Sequence, residues 1–430
     1  MPYVAEWYAW QISLMEKMGG SDRSIALKHL SRIKGLSNTM KNYRGKLKGL
    51  MRIGLVDKKR EEEKILKKFI GADEKRRSEF GDVLEKIGKI YEEVREQAEY
   101  ELILDYLRRS VNMIYFGYSV YEGSIERRKK DLERESAYMD RNFARTKQRL
   151  LSTLKNYYEP TDKAILKEML KRAARLQGKY RILAINDIIK DDSSEKAIDD
   201  FIEKAYSQTK LKNAISLLEA LKKSPKKLKK LKDPFIELAA ALYPAYQKLK
   251  ETQKTRKGAL DGLQAKLLDI KKRFFEKDFI PDANRTLRLT YGSIRGYKPA
   301  DAVYYHPITT ADGVLDKTTG QEPFDSPEKL IDLIRSRDFG RFEHPALKSV
   351  PVCILYDMDT TGGNSGSPVL NARGELVGVN FDRAYEATIN DFAWSESYSR
   401  SIAVDIRYVL WVTQKYGKVD YLLKEMNILK

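Results

Sequence analysis

Asp359-Thr360-Thr361-Gly362-Gly363-Asn364-Ser365-Gly366-Ser367-Pro368-Val369-Leu370 is the stretch on which the reading of the whole chain turns. A nucleophilic serine needs a tight turn that holds Oγ clear of its strand. It also needs backbone N–H groups aimed where negative charge will develop. Gly363 permits the unusual backbone of such a turn, and Ser365 follows two residues later, so their N–H groups can converge. Gly366 leaves room for a substrate carbonyl, and Pro368 opens the next strand. Val369-Leu370, a turn at Asn371-Ala372-Arg373-Gly374 and Leu376-Val377-Gly378-Val379 then read as a hairpin beside the turn. A bare Gly-x-Ser-Gly would be an ordinary β-turn; the extended pattern through Gly378 is far more specific.

Around this hairpin, residues 281–430 read as short strands. Thr286-Leu287-Arg288-Leu289-Thr290-Tyr291 alternates apolar and polar, and Val350 to Tyr356, Leu376 to Phe381 and Ser401 to Val404 are short β-rich runs. Asp405 through Lys415, with Ile406, Val409, Leu410 and Val412, reads as a closing helix. Such spacing suggests half of a β-barrel or a sandwich. Residues 1–280 have a different texture. Leu102, Leu104, Tyr106, Leu107 and Val111, and again Leu211, Ile215, Leu218 and Leu221, form apolar stripes at helical spacing. Pro160, Pro225 and Pro234 mark helix starts or breaks, and Ser193-Ser194-Glu195 resembles a helix N-terminus. No repeat period emerges. The fold class expected is α+β: a helical domain over 1–280, then a strand-rich domain over 281–430.

A chain of 430 residues, 42% hydrophobic, is expected to fold as two or more globular domains. No apolar run is long enough for a membrane span, which points to a soluble chain. Met1-Pro2-Tyr3-Val4-Ala5-Glu6-Trp7 does not read as a secretory signal. The single Cys353 excludes an internal disulfide framework and a Cys-rich metal site. Residues 281–430 carry 18 Lys and Arg against 20 Asp and Glu, so the whole excess behind the net +19 lies in the helical part. That surplus, with Lys222-Lys223 and Lys226-Lys227-Leu228-Lys229-Lys230, fits solvated helix faces better than a nucleic-acid surface, since no Arg/aromatic recognition pattern accompanies it. A helical scaffold or anionic-surface binder with a non-catalytic module is the alternative reading.

The serine stretch and its hairpin resemble the nucleophile turn of chymotrypsin-fold peptidases. Pro281 through Gly292, Gly296-Tyr297, Thr361 through Pro368 and Val379-Asn380-Phe381-Asp382-Arg383 are similar to hallmarks of the S46 peptidases, bacterial dipeptidyl-peptidases. In that family a chymotrypsin-like double β-barrel is interrupted by a large helical domain. The resemblance implies that residues 1–280 cover the substrate cleft and that 281–430 form the C-terminal barrel half with a C-terminal helix. It implies that Ser365 is the nucleophile and that the N–H groups of Gly363 and Ser365 form the oxyanion hole. It implies that Asp382, with an asparagine from the helical domain, receives the free α-amino group of an oligopeptide; Asn38 matches best and Asn42 second. An ammonium requires a carboxylate and neutral acceptors, and fixing it directs cleavage to the second residue. The resemblance also implies that Arg383, at the position after the aspartate, selects an acidic P1 side chain, with whose carboxylate a guanidinium pairs bidentately.

A serine peptidase also needs a base and an acid that orients it. His29 lies in a helical pattern, and His306 and His344 lie in loop-like segments; none sits in a general-base pattern. By resemblance, the catalytic histidine and aspartate belong to a first barrel half ahead of the helical domain. The chain is therefore expected to lack that half and to be inactive alone. Resemblance further implies a parent protein in the periplasm or at the cell surface, and a homodimer. No cofactor or metal is expected.

Overall fold

The computed structural model describes residues 1–189, 195–279, 286–321 and 324–428. They fall into two compact units. The helical unit comprises Glu6–Asn38 and Glu61–Phe279, and the sheet unit comprises Met1–Ala5, Thr39–Arg60 and Ile280–Lys430. Thr39–Arg60, read from sequence as part of the helical domain, clusters with the strands. Two glycines explain this. A Cβ on Gly45 would lie 2.3 Å from Thr388 Oγ1, and one on Gly49 would lie 2.8 Å from Ile389 Cβ. Their bare backbone lets the end of helix Arg23–Arg52 lie directly against the 3-10 run Tyr385–Asp391. Leu50 and Ile53 there join a core with Tyr297, Ala384, Ala387, Ile389 and Tyr398.

In the helical unit, Pro160, Pro225 and Pro234 each stand in the first turn of a helix, where a missing N–H costs nothing, while Pro244 lies inside the helix Pro234–Phe275. Pro160 lies in the first turn of Glu159–Ala174, and Pro225 opens Pro225–Lys229 behind the Ser224 cap. Pro234 opens the 42-residue helix Pro234–Phe275 behind Asp233, whose carboxylate accepts the N–H groups of Phe235 and Ile236. Gly117 lets helix Asn112–Glu126 approach the start of that long helix, since a Cβ there would lie 2.3 Å from the Phe235 carbonyl. Asp162 caps Asn112–Glu126 from a distance, accepting from Asn112 N at 2.6 Å, Met113 N at 3.1 Å and the Tyr206 hydroxyl at 2.7 Å. Leu104, Tyr106, Leu107 and Val111 are buried as their stripe predicts. Ile215 is not: it is 69% exposed, and Leu217 and Ala220 turn inward in its place. Ser193-Ser194 lies outside the described residues.

In the sheet unit, β1 (Tyr297–Ala300) and β2 (Val303–Tyr305) pair as an antiparallel hairpin. β3 (Ile308–Thr310), β4 (Pro351–Tyr356), β5 (Pro368–Leu370), β6 (Leu376–Arg383) and β7 (Ser401–Asp405) form one antiparallel sheet in the order β3-β4-β7-β6-β5. Three of the four strand runs expected from sequence are present as β4, β6 and β7. The fourth, Thr286–Tyr291, belongs to neither sheet; Leu287, Leu289 and Tyr291 are 100%, 92% and 90% exposed. Its alternation gives it one apolar edge, but no strand among the described residues lies along it. Pro281 to Arg285 lie outside the described residues.

Two helices that the sequence reading does not foresee, Ala311–Lys317 and Glu328–Arg335, lie between β3 and β4 in the chain. Ala311 and Ile334 from them pack with Phe339, Phe342, Val350 and Trp411. Each large apolar side chain so buried contributes roughly 1.5–3 kcal/mol. The expected closing helix is present as Ile406–Trp411, capped by Asp405 and continued by a π-helical turn, Val412–Tyr416, and a short helix, Asp420–Glu425. Among the described residues no helix is long and apolar enough to cross a membrane.

Candidate active site

The serine turn is built as its glycines require. Gly363 and Gly366 have φ of +106° and +86°, a region that side-chain-bearing residues rarely adopt. Asn364 organises the turn from within: its Oδ1 accepts from Thr361 N at 2.9 Å, and its carbonyl accepts from Ser367 N at 3.0 Å. Asn380 on β6 then clamps it to the sheet. The Asn380 carbonyl accepts from Gly366 N at 2.7 Å, its N–H donates to the Ser367 carbonyl at 2.9 Å, and its Nδ2 donates to the Asn364 carbonyl at 3.1 Å. The buried Tyr356 hydroxyl completes the set by bonding Asn380 Oδ1. Sequence reasoning missed Asn380. The signal was there: it shares the inward parity of Gly378 on a strand whose inner face is otherwise apolar or glycine.

Ser365 is exposed, and its Oγ lies 3.3 Å from the Phe381 carbonyl. Among the described residues no acceptor is bonded to the backbone N–H of Gly363 or Ser365, so both remain able to donate. Phe381 is itself the extra residue of a β-bulge: Asn380 pairs with Ala403 and Asp382 with Ile402, leaving Phe381 unopposed. The next two residues are the predicted Asp382 and Arg383. Asp382 is exposed, and its Oδ1 accepts the Arg383 N–H at 2.8 Å.

The Arg383 side chain is only 16% exposed, and its Nη1 pairs with Asp391 Oδ1 at 3.1 Å. Among the described residues no acceptor is bonded to its Nε or Nη2. The same Asp391 takes Lys46 Nζ on Oδ2 at 2.6 Å. Burial pushes the Asp391 carboxyl up, but the Lys46 hydrogen bond and the charges of Lys46 and Arg383 outweigh it and hold the group below the usual carboxylate range.

Asn38 and Asn42 both lie on helix Arg23–Arg52 but divide between the units. Asn38 is exposed and belongs to the helical unit; Asn42 is half-buried and belongs to the sheet unit, four residues before Lys46. None of the three histidines bonds Ser365. His29 is buried in the helical unit against Thr161 Oγ1 at 3.0 Å, an interhelix role. His306 Nδ1 accepts from Ile308 N at 3.2 Å, and His344 Nδ1 caps Ala346 N at 3.2 Å. A cleft of about 640 Å³ lies beside β3 and β4, lined by Tyr305, His306, Cys353, Phe381 and Ile402 among others. Burial pushes the Cys353 thiol up, so it stays protonated at neutral pH. Among the described residues no cluster of three or more His, Cys, Asp or Glu is placed to hold a metal.

Comparison with known proteins bears on the family and the fold. The family model described as peptidase S46 matches residues 1–428. The chain is 30% identical to an Asp/Glu-specific dipeptidyl-peptidase of Shewanella putrefaciens, over 100% of this chain and 61% of that protein. It is 32% identical to an Asp/Glu-specific dipeptidyl-peptidase of Capnocytophaga gingivalis, over 95% of this chain and 57% of that protein. A crystal structure of Porphyromonas endodontalis DPP11 in complex with the dipeptide Arg-Glu superposes with a TM-score of 0.78 at 24% identity, covering 99% of this chain and 60% of that one. At that identity the likeness speaks for the fold alone. The chain spans about six-tenths of the length of these relatives.

Proposed function

The chain belongs to the peptidase S46 family, and on that footing we propose that it is the nucleophile-bearing part of a serine dipeptidyl-peptidase. Its products are dipeptides released from the N-terminus with Asp or Glu at P1. Ser365 Oγ attacks the carbonyl carbon after the second residue, the C–N bond breaks, and water later releases the dipeptide from the acyl-serine. The Gly363 and Ser365 N–H groups receive the oxyanion. Asp382, with Asn38 or Asn42, receives the substrate's ammonium, and Arg383 pairs with the P1 carboxylate. The five-stranded sheet is, on this reading, half of a chymotrypsin-like barrel pair. The base and its orienting acid are, on the family expectation, carried by the part of the relatives that this chain does not span. The chain alone is then inactive. Location in the periplasm or at the cell surface and a homodimeric state belong to the same proposal.

The observation that carries this reading is the bulge at Phe381. One short piece of strand presents the carbonyl that meets Ser365 Oγ and, two residues on, a guanidinium with donors to spare. The test is hydrolysis of fluorogenic dipeptidyl substrates ending in Asp, Glu, Leu or Lys, by this chain and by the full-length protein containing it. Cleavage of the acidic substrates alone, by the longer protein alone, and its loss in Ser365→Ala, supports the reading. A preference for Leu or Lys refutes the role of Arg383, and an active Ser365→Ala refutes the nucleophile.

A further inference from the structure

Asp391 is the point where two cations of the sheet unit meet. Arg383 reaches Oδ1 from β6 at 3.1 Å, and Lys46 reaches Oδ2 from helix Arg23–Arg52 at 2.6 Å. The two cationic side chains are 16% and 15% exposed, so both are largely shielded from bulk solvent. The lysine is brought there by Gly45 and Gly49, which seat its helix on Thr388 and Ile389. Its ammonium also lies 5.8 Å from the centre of the Phe392 ring.

Charge counting gives this arrangement a function. Arg383 and Asp391 alone would be a neutral pair, and an incoming carboxylate would compete with Asp391 for the guanidinium. With Lys46 the cluster carries one net positive charge. Asp391 is shared, and the Nε and Nη2 donors of Arg383 remain without an acceptor among the described residues. Charge left uncompensated in a partly desolvated site is what discriminates a carboxylate from its neutral isostere.

We infer that Lys46 is a second specificity-determining residue: it serves as counter-ion to Asp391, and so leaves Arg383 and a net positive charge for the carboxylate of an acidic P1 side chain. This rests on the assignment of Arg383 above, and deepens it. Lys46 acts through Asp391 and is a positioning residue.

The experiment is calorimetric titration of the chain with the dipeptides Leu-Glu and Leu-Gln, which differ at P1 only in charge. The expected result is a Glu-over-Gln preference that falls about tenfold in Lys46→Met, with Leu-Gln binding unchanged. Lys46→Arg retains the preference. The double variant Lys46→Met/Asp391→Asn restores it, because the net charge returns to +1, a recovery that a merely structural lysine would not give. If Arg383→Ala abolishes the preference while Lys46→Met leaves it intact, or if the double variant fails to restore it, the inference about Lys46 is overturned and Arg383 stands. If the unaltered chain shows no preference, or Arg383→Ala leaves it untouched, the assignment of Arg383 fails and the inference falls with it.

Discussion

Tyr356 and Asn380 meet beneath the serine turn, the phenol hydroxyl on β4 bonding the amide oxygen of a side chain whose nitrogen supports the Asn364 carbonyl at 3.1 Å. Both residues are buried, so neither partner can exchange its bond for water. Asn380→Ala is expected to destabilise the sheet unit by about 1–3 kcal/mol, the range for buried polar groups left unmade. Tyr356→Phe removes one bond and costs less. Asn380→Asp keeps an acceptor for Tyr356 but sets a carboxylate against the Asn364 carbonyl, and is the worst of the three. Urea unfolding of the three variants gives the order.

Ser365 and Gly363 are expected to separate chemistry from architecture. Ser365→Ala removes one long, exposed hydrogen bond and leaves stability within about 0.5 kcal/mol. Hydrolysis by the full-length protein falls by at least about a thousandfold. Gly363→Ala places a Cβ at a φ of +106°, where the space is open and only the backbone objects. It costs roughly 1–3 kcal/mol, read as a lower thermal midpoint together with lost activity.

Alanine at three glycines of one helix is expected to give opposite signs. At Gly35 a Cβ meets nothing within 4 Å, so the substitution gains the helix-propensity difference, roughly 0.5–1 kcal/mol. At Gly45 and Gly49 the added carbon collides with Thr388 and Ile389, and a loss of about 1–3 kcal/mol replaces the gain. Thermal midpoints of the single variants decide this. A uniform gain would mean that the helix does not lie against the 3-10 run.

His29 gives a pH dependence whose sign follows from its surroundings. Burial, together with the charges of Arg32 and Lys28, lowers its pKa, so the folded chain holds the imidazole neutral against Thr161. The unfolded chain binds its proton near the ordinary value of about 6.5. This contribution is therefore fully present above that pH and is lost as pH falls through the lower, folded value. The thermal midpoint of His29→Gln is expected to fall less than that of the unaltered chain between pH 7.5 and 5.

Much of this was legible in the sequence because local chemistry dictated it. Gly363 announced an unusual turn backbone, Pro160, Pro225 and Pro234 announced helix starts or breaks, and β4, β6 and β7 followed from short β-rich runs. The expected strand at Thr286–Tyr291 shows where alternation stops being informative. It tells which side chains share a face, not whether a neighbouring strand exists. Asn380 was missed because its inward parity marks it as buried but does not say which groups it bonds. Lys46 and Asp391 lie at opposite ends of the chain, and nothing local to either marks the pair. The membership of Thr39–Arg60 was equally hidden, since its helical pattern is that of its neighbours and only the packing of Gly45 and Gly49 separates it.

The shared carboxylate has a consequence for descent. Asp391 has two cations from distant parts of the chain, so a chance substitution at either leaves it paired with the other. Neither change strands an uncompensated charge, the event that usually makes such replacements lethal to folding. On the reading proposed above, residue 383 is thus free to change in one step, and a shift in the side chain accepted at P1 requires no prior repair of the protein.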